Sequence, residues 1–200
     1  MTTPEEFRQR LRERDVDEVL DEYLLCDQAQ HVPAEKVDYI GNKICKTFGV
    51  EIDAMQLWIV GSAKLGFSLT EKKQKDGSTL PRYRCFGADS DIDVAVVHPG
   101  IFEQIWNELS THSHGSPFWP WDSGRLGDYL ICGWFRPDHF PRGSQLRKCN
   151  DWWDGFRSMS NEAYLGRRQV RGGLFHSKDQ LRRYLRRAVY ECTRAEEIGI

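Results

Sequence analysis

The strongest constraint on the fold of this chain is the run at residues 91–97 (DIDVAVV), where two aspartates interrupt an apolar segment. A short apolar run of this kind is typical of a buried strand. Because successive side chains of a strand point to opposite faces, Asp91 and Asp93 share one face, about 7 Å apart along the strand. Burying two carboxylates is costly unless a partner neutralises them. The run therefore predicts a site for a divalent cation, although aspartates that face solvent or pair with arginines would fit the same pattern.

A second apolar run, residues 55–60 (MQLWIV), leads directly into a Gly-Ser turn at Gly61 and Ser62. The run predicts another buried strand, followed by a short helix. Glycine lets a backbone approach a phosphate closely, and the free N–H groups at a helix start attract anions. We therefore predict that Gly61 and Ser62 bind the phosphates of a nucleotide, with Lys64 as a further candidate in the same turn. The turn is not a Walker A loop, since G-x-x-x-x-G-K-[ST] is absent.

Together, WIVGSAKLG and SDIDVAVV resemble the signature of the DNA polymerase β-type nucleotidyltransferase superfamily, in particular its minimal and its cGAS/DncV-like bacterial branches. The resemblance covers roughly residues 34–98, and the segment between the two motifs is longer than in minimal members. It implies a third metal-binding carboxylate on a later strand, completing a two-metal site for Mg²⁺ or Mn²⁺. Asp128, which opens a third apolar run, is our choice for this residue, and Asp138 is the alternative.

The remaining pattern predicts an α/β (α+β) protein with a small mixed sheet of nucleotidyltransferase type. Apolar spacing predicts helices at residues 4–30, 34–48, 101–110 and 144–158 and from Ser177 onwards, and strands at residues 55–60, 91–97 and 128–135. A hairpin or flap is expected around Asp76-Gly77 and an irregular loop at residues 111–127. We expect residues 1–141 to form the catalytic core with its N-terminal helices, and residues 142–200 to form a C-terminal helical segment packed on that core.

Charge is distributed unevenly along the chain. Residues 1–30 contain nine acids and four arginines, whereas residues 142–187 contain twelve Lys/Arg and four acids. A basic segment suits a polyanionic substrate, although charges on a solvated helix face would give the same count. The last helix carries four arginines on the side away from its apolar stripe, where an oligonucleotide product or acceptor would bind: Arg182, Arg183, Arg186 and Arg187. Ser177 and Lys178 are candidates for phosphate contacts at the start of this helix, where a capping serine is the simpler interpretation.

These features predict an enzyme that transfers NMP or dNMP from an NTP or dNTP to a hydroxyl acceptor and releases pyrophosphate. Among acceptors we favour another nucleotide, which would give a short linear or cyclic oligonucleotide signal of the kind made in bacterial antiphage defence, and the basic C-terminal segment is the sequence support for this choice. Modification of a protein or tRNA, as in toxin–antitoxin systems, and a catalytically silent nucleic-acid-binding module are the alternatives. The opening residues MTTPEEFRQRLRERD lack the apolar region of a secretory signal, and the six cysteines form no CxxC pair, which predicts a cytoplasmic protein with reduced thiols.

Overall fold

The computed structural model describes residues 2–74, 76–115, 123–140 and 143–198, without the side chains of residues 123–127. Within these ranges the α-helices are α1 (Pro4–Glu13), α2 (Val16–Val19), α3 (Ala34–Phe48), α4 (Ser62–Leu65), α5 (Pro99–Gly115), α6 (Ser123–Cys132), α7 (Arg147–Ser160) and α8 (Lys178–Ile198). The strands are β1 (Gln56–Val60), β2 (Lys72–Lys73), β3 (Thr79–Leu80), β4 (Ile92–Val97), β5 (Trp134–Phe135) and β6 (Val170–Phe175). None of the described helices combines the length and the apolar character that a bilayer span requires.

Four strands form the central sheet in the order β1-β4-β6-β5. β1 is antiparallel to β4, β4 is parallel to β6, and β5 is antiparallel to β6. The sheet is therefore mixed, and the predicted α/β fold with a small mixed sheet is confirmed. β2 and β3 pair as a separate antiparallel hairpin between β1 and β4, where the flap is predicted.

The two faces of the sheet are covered by different helices. On β4, Ile92, Val94 and Val96 belong to a core that includes residues of α3, α5 and α7. Ala95 and Val97 point the other way, into a core built with α1 and α8. Since Asp93 has the same parity as Ala95, its side chain lies on the face that α8 covers.

The N-terminal residues form several short helices instead of the single helix predicted for residues 4–30. Thr3 closes a capping box with Glu6 at the start of α1. Asp15 then caps α2 by accepting a hydrogen bond from the Asp17 N–H, so the chain changes direction there. A π-helical turn at Leu20–Leu24 follows. The prediction for α3 is confirmed, and it ends at Gly49, whose φ of 66° is left-handed.

Three predictions for the second half of the chain are wrong. The irregular loop predicted at residues 111–127 is helical at both ends, because α5 extends to Gly115 and α6 begins at Ser123, while residues 116–122 lie outside the described residues. Residues 128–135 do not form one strand, because α6 extends to Cys132 and only Trp134–Phe135 pair with the sheet. Gly133, with φ of 65°, separates the two elements. Residues 142–200 are also not purely helical, because β6 lies beside β4 in the middle of the sheet. Residues on both sides of the predicted boundary at 141 and 142 thus build the same sheet.

Candidate functional site

The Gly-Ser turn and the two aspartates meet at one end of the sheet. Val60, the last residue of β1, pairs with Asp93 of β4. Gly61 therefore lies against the Asp93 side chain, and a Cβ atom built on Gly61 would be 2.9 Å from Asp93 Oδ2. Gly61 has φ of 65° and ψ of −151°, a conformation that is essentially restricted to glycine. The turn and the carboxylate, which are far apart in the sequence, thus form one local structure.

Ser62 is the first residue of α4 and lines the same cleft as Gly61 and Asp93. Ala63, directly behind it, is fully buried and fixes the turn against the sheet. The backbone N–H groups in the first turn of a helix have no intrahelical acceptor, so they are suited to phosphate oxygens. The turn thus places hydrogen-bond donors beside a carboxylate.

Asp91 and Asp93 both line this cleft, on the face that the alternation along β4 predicts. Burial raises the pKa of Asp93, and the negative charge of Asp91 raises that pKa further. The positive charges of Arg171, Arg136 and Lys72 lower it. Ionising both carboxylates therefore costs free energy that a cation between them would offset.

Arg171 supplies one positive charge at this point. It lies on β6, whose parallel register with β4 pairs Arg171 with Asp93. Its Nε is 3.1 Å from Asp91 Oδ2, and its Nη2 donates a hydrogen bond of 2.9 Å to Gln169 Oε1. Pairing of an aspartate with an arginine is one of the alternatives that the sequence leaves open. No strand is predicted at residues 170–175, so the sequence does not place Arg171 beside the aspartates.

Neither candidate for the third carboxylate lines the cleft. Asp128 is exposed on α6, a helix, and not on a strand. Asp138 lies in the 3₁₀ turn Pro137–His139, where the Arg136 guanidinium donates hydrogen bonds to both of its carboxylate oxygens. Within the described residues, no group of three His, Cys, Asp or Glu side chains could hold a metal ion. Two carboxylates still suit one Mg²⁺, because this ion commonly takes one or two protein carboxylates and completes its shell with substrate phosphates and water.

The cleft has a volume of about 720 Å³, within the range of small-molecule sites. Asp89 lines the cleft together with Asp91 and Asp93. Cationic side chains line it as well: Lys72, Arg84, Arg136 and Arg171. Arg84 donates to the carbonyl oxygens of Thr70 and Pro81, so it supports the base of the hairpin. Trp134 and Tyr184, with ring centroids 4.7 Å apart, form part of the apolar wall. The cleft thus combines charges of both signs with an aromatic wall.

Three other predicted phosphate contacts lie away from this cleft. Lys64 is 2% exposed, and its Nζ donates a hydrogen bond to the Cys26 carbonyl, which ties the N-terminal segment to α4. Ser177 Oγ accepts a hydrogen bond of 3.4 Å from the Gln180 N–H and therefore caps α8. Lys178 Nζ lies 5.4 Å from the centre of the Trp58 ring. All three side chains have structural contacts of their own.

The four arginines of α8 predicted to bind an oligonucleotide are paired with acids. Arg182 contacts Asp17 and Asp21 of the N-terminal segment, and Arg186 contacts Asp17. The other two pair within α8, Arg183 with Asp179 and Arg187 with Glu191. The acidic N-terminal segment and the basic C-terminal helix thus neutralise each other, which removes much of the positive field predicted to attract an oligonucleotide.

No protein-family model, curated protein or solved structure matches this chain. What the molecule does has therefore to be inferred from its own cleft. Two carboxylates there suit a divalent cation, and the adjoining Gly-Ser turn suits a phosphate group.

Proposed function

We propose that the cleft binds a nucleoside triphosphate together with one Mg²⁺ or Mn²⁺ ion, and that the protein transfers a nucleoside monophosphate to a hydroxyl acceptor with release of pyrophosphate. One observation carries this proposal: Gly61 lies so close to Asp93 that a Cβ atom on it would be 2.9 Å from Asp93 Oδ2. A triphosphate held by the turn would bring its oxygens to the two carboxylates. The resemblance of the two motifs to the nucleotidyltransferase superfamily supports the same assignment.

Each part of the cleft has a role in this proposal. Asp91 and Asp93 would hold the cation, which when bound neutralises charge on the phosphates and orients them for displacement. Ser62 would donate its hydroxyl and backbone N–H to the phosphates. Lys72, an exposed side chain on the hairpin, would add positive charge from the open side of the cleft.

The class of acceptor has less support than the donor site. Because Arg182 and Arg186 are paired with acids, the α8 face no longer favours an oligonucleotide. A short linear or cyclic oligonucleotide product, as in bacterial defence, therefore rests on the resemblance alone, and modification of a protein or tRNA is an equal alternative.

A second candidate function is nucleotide binding without transfer. Arg171 favours it, because this cation lies on the strand beside β4, whereas the resemblance implies a carboxylate on a later strand. A guanidinium can contact phosphate oxygens but cannot replace a metal ligand. The cleft would then hold a nucleotide as a binding module.

Product analysis separates the two candidates. The protein is incubated with all NTPs and dNTPs plus Mg²⁺ or Mn²⁺, pyrophosphate is measured, and products are identified by mass spectrometry. The transferase proposal predicts pyrophosphate release that is lost in Asp93→Asn. It also predicts that release persists in the control Asp53→Asn, an exposed aspartate in the 3₁₀ turn Ile52–Ala54 before β1. Nucleotide binding without pyrophosphate would support the binding module, and no nucleotide binding at all would reject both.

A further inference from the structure

Arg171 is a cationic side chain that forms an ion pair with one member of the carboxylate pair, Asp91. We propose that Arg171 is a positioning residue: it is an internal counter-ion of Asp91 that a divalent cation must displace, so that cation and triphosphate bind cooperatively. This inference rests on the proposed function, because it assumes that the cleft receives a triphosphate with a cation.

The position of Arg171 is fixed by the sheet. β6 runs parallel to β4 with Arg171 in register with Asp93, so its side chain emerges on the face that carries both aspartates. The Arg171 side chain is 35% exposed and that of Asp91 is 25% exposed. Both side chains are therefore accessible enough to solvent to exchange partners. They are also buried enough for the attraction between their charges to be only partly screened by water.

The contact between the two side chains is incomplete as a hydrogen bond. Arg171 Nε lies 3.1 Å from Asp91 Oδ2, but this buried Nε makes no hydrogen bond of acceptable geometry. The Nη2 group is held by Gln169, outside the carboxylate pair. A charge-assisted bond of ideal geometry would be strong. The Arg171 guanidinium therefore attracts Asp91 electrostatically without a strong hydrogen bond, and a cation can displace it.

Displacement of Arg171 from Asp91 by a cation would also affect binding of the triphosphate. A cation on Asp91 and Asp93 repels the guanidinium, which is anchored on β6 and remains within a cleft that also contains Gly61 and Ser62. Phosphate oxygens bound at the Gly-Ser turn would be anions within the same cleft that the guanidinium could contact. Each ligand thus favours the other: the cation frees Arg171 for the phosphates, and the phosphates draw Arg171 away from Asp91. Thermodynamic linkage requires this coupling to be reciprocal.

The test measures Mn²⁺ binding directly, by electron paramagnetic resonance of unbound Mn²⁺, with inorganic triphosphate as the second ligand. Arg171→Gln removes the counter-ion, and Arg171→Lys retains a positive charge. Arg183→Gln is the matched control, because it removes the same charge from an arginine that is 77% exposed on α8 and paired with Asp179.

We expect Arg171→Gln to bind Mn²⁺ alone at least about tenfold more tightly than wild type, since an ionic contact that competes for Asp91 has been removed. Arg171→Lys should lie between the two, and Arg183→Gln should match wild type. Inorganic triphosphate should raise Mn²⁺ affinity more in wild type than in Arg171→Gln, with chelation in solution measured separately and subtracted. A purely structural Arg171 would instead leave Mn²⁺ binding weaker or unchanged on substitution.

Two results overturn the inference: Mn²⁺ affinity in Arg171→Gln no higher than in Arg183→Gln, or no Mn²⁺ binding by any of these proteins. If Mn²⁺ affinity rises as expected but triphosphate binds none of the proteins, the counter-ion role at Asp91 stands, while the coupling and the proposed function fail. If Arg171→Gln folds less stably than wild type, thermal unfolding with and without Mn²⁺ still tests the inference. Tighter binding predicts a larger Mn²⁺-induced rise in Tm for Arg171→Gln than for wild type.

Discussion

At the scale of single residues, Gly61 is the position where the backbone and the site depend on each other. Its φ and ψ angles are accessible only to glycine, and the space that a side chain would occupy is taken by the Asp93 carboxylate. The sequence predicts a phosphate-binding role for Gly61 and a cation-binding role for Asp91 and Asp93. The contact between them is a property of strand register, which neither motif specifies alone.

We predict that Gly61→Ala lowers the free energy of unfolding by about 1–3 kcal/mol, because the methyl group forces a strained backbone and displaces Asp93. It should also weaken triphosphate binding. Gly49→Ala is the control: Gly49 has nearly the same φ, 66°, but nothing lies within 4 Å of its Cβ position. Gly49→Ala should lower the free energy of unfolding by about 1 kcal/mol and leave ligand affinity unchanged. Denaturant unfolding and calorimetry check both variants, and equal effects on affinity would refute a role for the Gly61–Asp93 contact.

At the scale of elements, β1 and β4 could be predicted from sequence because each is a short apolar run bounded by turn residues. The run at residues 128–135 shows the limit of that reasoning, since an apolar run of this length also fits part of a helix, and α6 takes most of it. β6 could not be predicted from the sequence for a different reason. Two of its six residues, Gly172 and Gly173, contribute no side chain to the pattern.

The glycines of β6 are explained by packing, which a single sequence does not show. A Cβ atom on Gly172 would lie 2.3 Å from Phe156 Cζ and 2.6 Å from Trp152 Cζ2, both on α7. α7 therefore sits directly on the β6 backbone at this point. The close approach packs α7 against β6, the strand that carries Arg171.

We predict that Gly172→Ala destabilises the fold by about 1–3 kcal/mol, because the two rings are large, buried and unable to move away without cost. The neighbouring Gly173→Ala is the control, since its nearest contact would be an ordinary 3.4 Å to Phe175 Cε2. Chemical denaturation of the two variants gives the comparison. Equal stability of the two would contradict this packing of α7 on β6.

At the scale of the whole molecule, opposite charges join the two ends of the chain. Arg182 and Arg186 of α8 contact Asp17, and Glu196 near the end of α8 contacts Arg8 and Arg12 of α1. Part of the uneven charge along the sequence is thus neutralised by contacts between the two ends of the chain. Composition reveals the imbalance, but only the tertiary arrangement shows that the two segments neutralise each other.

This arrangement predicts a response to pH and salt. Hydrogen bonds from Arg186 and Arg182 lower the pKa of Asp17. A lowered pKa in the folded state means that the stabilisation is present above the usual pKa of aspartate and is lost as the pH falls through the folded value. Asp17→Asn should therefore lower Tm slightly at neutral pH and low salt, and the difference should shrink in high salt and in acid.

Glu18→Gln, an exposed acid on the same turn of helix, is the control for net charge. Thermal unfolding across pH and ionic strength checks the prediction. A difference between Asp17→Asn and wild type that is unaffected by salt would rule out an ionic origin.

The central claim is that the Gly-Ser turn and the aspartate pair together bind a triphosphate with a divalent cation, and isothermal titration calorimetry tests it most directly. Each NTP and dNTP is titrated with Mg²⁺ into wild type, Asp93→Asn and Asp53→Asn. We predict that at least one nucleotide binds wild type and Asp53→Asn equally, and binds Asp93→Asn at least about tenfold more weakly. Nucleotide binding that is unchanged in Asp93→Asn, or absent from wild type, would contradict the claim.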